Sequence, residues 1–142
     1  MEIKTATIKD VESIYLINKE SLGYDFDVNQ TKKALDKILK DNTQRVFVAI
    51  EDKAIVGYIH ARVYDSLYLQ PLVNIVSLAV LNNYQGCGAG KALIENVEEW
   101  ALNNKIYCIR LESGIERTKA HQFYYHLGYY DKKDHKHLYK DL

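Results

Sequence analysis

The chain has 142 residues, 47% hydrophobic and 27% charged, which is the composition of one globular domain and excludes a disordered chain. Nineteen Lys and Arg balance 19 Asp and Glu, so a strongly basic nucleic-acid binder driven by counterion release is excluded as well. Cys87 and Cys108 lie in no CxxC or Cys/His pattern; neither a disulfide framework nor a metal site is expected, and without an apolar run of about 18 residues or a hydrophobic leader the expected setting is the cytoplasm, with no membrane partner.

Met1 to Thr5 can form a short strand. Thr7 and Asp10 fit a capping box, followed by Val11, Ile14, Tyr15 and Leu22 at helical spacing and a stop at Gly23. A polar stretch with aromatics, Tyr24 to Asp27, leads into a second helix over about Asn29 to Lys40. Val46 to Ile50 and Ile55 to Val63 are β-rich and joined by Glu51 to Ala54, which reads as a hairpin. Leu72 to Val80 is apolar almost throughout and is expected to be a central strand covered on both faces. Lys91 to Leu102 carries Leu93, Ile94, Val97, Trp100 and Ala101 on one stripe, the pattern of an amphipathic helix. Ile106 to Leu111 reads as another buried strand, and Thr118 to Leu127 as a helix closed by Gly128. The remainder, Tyr129 to Asp141, has room for one or two edge strands in which Lys132 and Lys133 protect the edge. The expected architecture is an α/β fold, residues 1–142 forming one domain around a mixed, mostly antiparallel sheet flanked by helices.

Three of the seven glycines fall within Gln85-Gly86-Cys87-Gly88-Ala89-Gly90-Lys91, between a strand and a helix. Glycines there let the backbone turn tightly and bring its N–H groups against a ligand, and the helix behind adds unpaired N–H groups. That chemistry suits a phosphate or diphosphate. A P-loop would need Ser or Thr after Lys91, where Ala92 stands, and a dinucleotide fingerprint would need G-x-G-x-x-G near the first strand.

The segment Leu78-Ala79-Val80 followed four residues later by Gln85 to Lys91 resembles the acyl-CoA-binding motif of the GNAT N-acetyltransferases, Q/R-x-x-G-x-G/A. Ala120-x-x-Phe123-Tyr124-x-x-Leu127-Gly128-Tyr129 is similar to the second motif of that family, A-x-x-F-Y-x-x-x-G-F. The resemblance implies a GNAT-like acyl-CoA N-acyltransferase fold and acetyl-CoA as co-substrate. It implies that Leu78, Ala79 and Val80 meet the pantetheine arm, that one amide of this stretch polarises the thioester carbonyl, and that Gln85, Gly86, Cys87, Gly88, Ala89, Gly90 and Lys91 hold the diphosphate. Arg117, ahead of the motif helix, would reach a CoA phosphate or lie in solvent.

Tyr124 is the implied general acid: a phenol is protonated at neutral pH and can donate to a departing thiolate. The base is less direct. A lysine-like amine is neutral in only about one molecule in 10³ at pH 7, roughly 4–5 kcal/mol uphill. Where the histone-acetylating branch has a glutamate, this chain has Asn74, which cannot serve. Glu112, His60 and a water chain held by Ser77 and Asn74 are the candidates. His135 and His137 would share a strand face, but two imidazoles without a third ligand make a poor metal site.

The resemblance implies that the acceptor loops select the amine. Here they hold Tyr24, Asp25, Phe26, Asp27, Tyr64, Asp65, Tyr68 and Gln70, aromatics and carboxylates that suit a cationic small-molecule amine. The stretch from Ser113 to Tyr124 resembles small-molecule branches, including aminoglycoside- and aminoalkylphosphonate-modifying members. The alternatives are a non-catalytic acyl-CoA-binding module, a lysine or N-terminal protein acetyltransferase, and an unrelated nucleotide-binding fold. A homodimer through the Tyr- and His-rich C-terminal part is a further expectation.

Overall fold

Strand alternation and two hairpin-length connections build the sheet. In the computed structural model, which describes residues 1–142, five strands run in spatial order β1 (Glu2–Thr5), β2 (Gln44–Glu51), β3 (Ala54–Tyr64), β4 (Leu72–Val80) and β5 (Ile109–Leu111). The first four pair antiparallel and β4 pairs β5 in parallel. The β2–β3 turn has Asp52 at φ 51° and Lys53 at φ 66°, the mirror-image turn that matches the twist of a tight hairpin. Helices α1 (Val11–Ile17), α2 (Val28–Leu39), α3 (Ala89–Asn103) and α4 (Thr118–His126) complete the chain.

Two compact units emerge, Met1–Leu111 and Glu112–Leu142. The whole sheet lies in the first. Ile14 and Ile17 of α1 and Leu35 of α2 are buried with Val46, Val48, Tyr58 and Ala79 on one sheet face. Alternate strand residues such as Ala49 and Ile59 are fully buried on the other face, where α3 packs with Leu93, Ile94 and Val97 inward. Each fully buried aliphatic side chain contributes about 1.5–3 kcal/mol. Gly57 is required by proximity: a Cβ there would lie 2.9 Å from the Ala79 carbonyl oxygen.

The capping box is present, with the Asp10 carboxylate accepting from the Thr7 backbone N–H at 2.8 Å. Past α1 the chain widens into a π-turn, Asn18–Leu22, before Gly23 ends it at φ 75°. Asp27 starts α2 by accepting from the N–H groups of Asn29 and Gln30.

Three expectations need correction. Val76 in β4 is 49% exposed, so the strand is not covered on both faces along its length. β5 is shorter than Ile106–Leu111: Ile106 is buried, but Tyr107 and Cys108 are exposed and only Ile109–Leu111 pairs. No strand forms after α4. The run Asp131 to Lys136 is almost wholly charged and unfavourable for a strand, so those lysines guard no edge.

Candidate active site

β4 changes character at its middle. The register with β3 shifts between His60 and Ala61, which oppose Ser77 and Ile75; Val76 is the extra residue of a β-bulge. β5 pairs only with Val73, Asn74 and Ile75. From Val76 to Val80 the β4 edge facing away from β3 therefore carries no strand. The Leu81 N–H donates to the Val56 carbonyl at 2.8 Å, and backbone groups alternate sides along an antiparallel ladder. Ser77, Ala79 and Leu81 thus face β3, while Leu78 and Val80 direct their N–H and C=O groups to the open edge. The Val80 carbonyl is already engaged there, accepting from Ser21 Oγ at 3.0 Å and Gln85 Nε2 at 3.2 Å. Ala79 is turned the other way and packs in the core at 4% exposure.

The open edge runs into the glycine loop. Gly86 and Gly88 have φ of 82° and 92°, with nothing within 4 Å of an added Cβ; the left-handed backbone, not crowding, requires glycine there. Gly88 precedes α3, no side chain caps that helix, and the Ala92 N–H bonds to the Gly88 carbonyl. The N–H groups of Ala89, Gly90 and Lys91 come before that first bond. The Gln85 amide is committed to Val80 and Asn82, Cys87 Sγ donates to the Tyr84 carbonyl, and Lys91 pairs with Glu95 at 3.8 Å.

A cavity of about 130 Å³ lies among α1, α2 and the sheet, lined by Asn18, Phe26, Leu35, Tyr58, His60 and Ser77 among others. The Tyr58 hydroxyl donates to Asn18 Oδ1, and burial raises the phenol above its ordinary pKa. His60 Nε2 meets Gln44 Oε1 at 2.7 Å. Burial first, and the Arg62 charge second, lower its pKa to about 4. An imidazole so weakly basic is neutral at pH 7, and its Nε2 is committed to Gln44. Asn74 Oδ1 accepts from Arg110 Nε at 3.2 Å, and the Arg110 guanidinium carbon lies 4.3 Å from the Tyr64 ring centroid.

In the second unit, Tyr124 is half-buried on α4, in edge-to-face contact with Phe123 at 5.2 Å and Tyr129 at 6.0 Å. Burial raises its phenol pKa, opposed by the Arg117 charge. The hydroxyl is protonated at neutral pH. Arg117 is exposed at the start of α4, and Gly128 at φ 93° follows its end. Glu112 is exposed, its carboxylate 3.9 Å from His135 Nδ1. No group of three or more His, Cys, Asp or Glu converges on a metal position.

Three of the eight acceptor-loop residues are already in use, while Tyr24, Phe26 and Tyr68 are exposed. Asp27 caps α2, Asp25 accepts from the Tyr15 hydroxyl at 2.6 Å, and Tyr64 is covered by Arg110. Ser21, Val76 and Arg110 escape a reading of the sequence, since neither a bulge nor a cross-element hydrogen bond leaves a local pattern.

An open-edged central strand feeding a glycine loop at a helix start is the arrangement of an acyl-CoA-dependent transferase fold. Residues 11–129 match the family model described as acetyltransferase (GNAT) family, and the chain belongs to that family; it is an acyltransferase. It is 30% identical to an N-alpha-acetyltransferase of Sulfurisphaera tokodaii, over 98% of this chain and 86% of the relative. It is 28% identical to an aminoalkylphosphonate N-acetyltransferase of Salmonella typhimurium, covering 90% and 84%. The solved structure of AAC(6')-Iy in complex with the bisubstrate analogue CoA-S-monomethyl-acetylneamine matches with a TM-score of 0.88 at 19% identity, over 99% of this chain and 98% of that one; at that identity the likeness is one of fold.

Proposed function

We propose that this chain transfers an acetyl group from acetyl-CoA to a primary amine of a small molecule, by direct attack within a ternary complex. The observation that carries it is the free β4 edge beyond Val76, continuous with N–H groups that precede the first turn of α3. Leu78 can pair with an extended amide-bearing arm through both its N–H and C=O, and Val80 through its N–H. Gly86 to Lys91 can receive a diphosphate on main-chain N–H groups, which suits an anion better than a neutral arm. These residues fit coenzyme A, which when loaded supplies the activated acyl carbon and a thiol leaving group. The match of residues 11–129 to one family model, spanning both compact units, supports reading the chain as one transferase domain.

Tyr124 donates its proton to the leaving sulfur, a role its raised pKa permits at neutral pH. Glu112 takes the proton of the acceptor ammonium, directly or through water, because its carboxylate is exposed while His60 Nε2 is engaged with Gln44 and Asn74 has no basic lone pair. Exposed Tyr130, Leu138 and Tyr139 support pairing of two copies through the tail, measurable as mass in solution.

The test is a panel of amines mixed with acetyl-CoA, following thiol release. Tyr124→Phe should lower kcat at least about tenfold while acetyl-CoA affinity holds; unchanged turnover removes the acid assignment. Glu112→Gln is the matching test of the base. A second reading, acetylation of peptide N-termini, is favoured by the N-alpha-acetyltransferase that aligns over 98% of the chain. Peptides outcompeting small amines in the same assay would select it.

A further inference from the structure

Asn74 sits between two arginines: its partners across the ladder are Arg62 on β3 and Arg110 on β5. Arg110 is held at two points, its Nε by Asn74 Oδ1 at 3.2 Å and its guanidinium carbon over the Tyr64 ring, 4.3 Å from the centroid. The two Nη groups at the far end have no acceptor in the protein, and no ion pair of the structure includes Arg110 or Arg62. Arg110 is half-buried. A guanidinium cannot shed its proton, so a partly desolvated one without a carboxylate is an uncompensated charge. Its orientation is fixed in advance, which lowers the ordering cost of a fork-to-fork contact.

We infer that Arg110, seated over the Tyr64 ring and anchored by Asn74, binds an anionic group carried by the amine acceptor. This rests on the acetyl-transfer reading and names its substrate class: a short amine with a carboxylate, phosphonate or sulfonate on the same molecule. Position supports the assignment. Asn74 precedes the Val76 bulge by two residues, about 7 Å of strand, which a short amine spans with its anion at Arg110 and its nitrogen beside the open edge. Arg110 is the middle residue of β5, one short of that strand's end at Leu111. The same charge discriminates. An acceptor bearing only ammonium groups meets the Arg110 guanidinium, which has no carboxylate partner, whereas a zwitterion brings its own counter-charge. Asn74 is then a positioning residue, holding Arg110 through a neutral amide oxygen without neutralising it.

The test is titration calorimetry of the full chain with coenzyme A present, using 3-aminopropanoate and propylamine as matched probes. The wild type should bind 3-aminopropanoate at least about tenfold more tightly. Arg110→Gln should abolish the preference with coenzyme A affinity unchanged, and Arg110→Lys should keep part of it as charge without the fork. Asn74→Asp should abolish it too, by setting a carboxylate against the guanidinium; a merely structural Asn74 would leave the preference intact. Equal binding of the two probes, no binding of either, or a preference that survives Arg110→Gln overturns the inference. A clear preference in a chain that neither binds acetyl-CoA nor releases thiol upholds the anion site and removes the transferase reading instead.

Discussion

Val73–Ile75 has a strand on each side, whereas Val76–Val80 has one on one side only. Both halves come from a single apolar run, and a hydropathy profile does not separate them. The difference is a bulge and the early end of β5. The first half is fixed by pairing and burial and serves as scaffold. The second half keeps the register of that scaffold on its β3 side and offers the other side to a ligand. One strand thus joins stability to binding without a loop between them.

Adjacent substitutions break this comparison most sharply. Ile75→Ala, at a 6% exposed position, should destabilise the fold by about 2–5 kcal/mol. Val76→Ala, at 49% exposure, should stay within about 0.5 kcal/mol. Urea midpoints read both, and similar losses would mean that the bulge does not divide the strand. Prolines sharpen the same point. Ala79→Pro removes an N–H that faces β3 and should cost about 3 kcal/mol or more. Leu78→Pro removes one on the open edge, where proline is tolerated; it should spare stability and weaken acetyl-CoA binding about fivefold.

His60, opposite Ser77 beside the bulge, gives a pH signature. Its folded pKa of about 4 lies below the ordinary 6.5. As pH falls the unfolded chain therefore takes the proton first. The contribution of neutral His60 is complete above about pH 6.5 and is lost toward pH 4, by up to about 3 kcal/mol. His60→Gln should flatten stability across that window, and a slope left unchanged by the substitution would remove the assignment.

Much of the fold was legible because it is locally encoded. The Thr7–Asp10 box, the Asp52–Lys53 turn, the stops at Gly23 and Gly128 and the two acyl-CoA motifs each rest on a few neighbouring residues. What was hidden depends on pairing. The run from Ile106 to Leu111 looks like a full strand, yet only Ile109–Leu111 ladders with β4, and Cys108 adds just its carbonyl as acceptor for the Val73 N–H. Nothing in the Leu72–Val80 run marks Val76, since a bulge without glycine or proline leaves no residue signature. Asp25 and Asp27 look like a lure for a cation until the Tyr15 hydroxyl and the first turn of α2 are seen to occupy them. Arg110 was silent for the same reason: its neighbours, Tyr64 and Asn74, are distant in sequence.

The wide turn at Asn18–Leu22 ties three points together: Asn18 takes the Tyr58 hydroxyl, Ser21 reaches the Val80 carbonyl, and Glu20 accepts from the Asn82 N–H. Deleting one residue there would restore ordinary α-helical winding and swing whatever follows by about 100°. Ser21 would then leave the end of β4. The segment's length, more than its side-chain chemistry, is what insertions and deletions in this chain would have to respect.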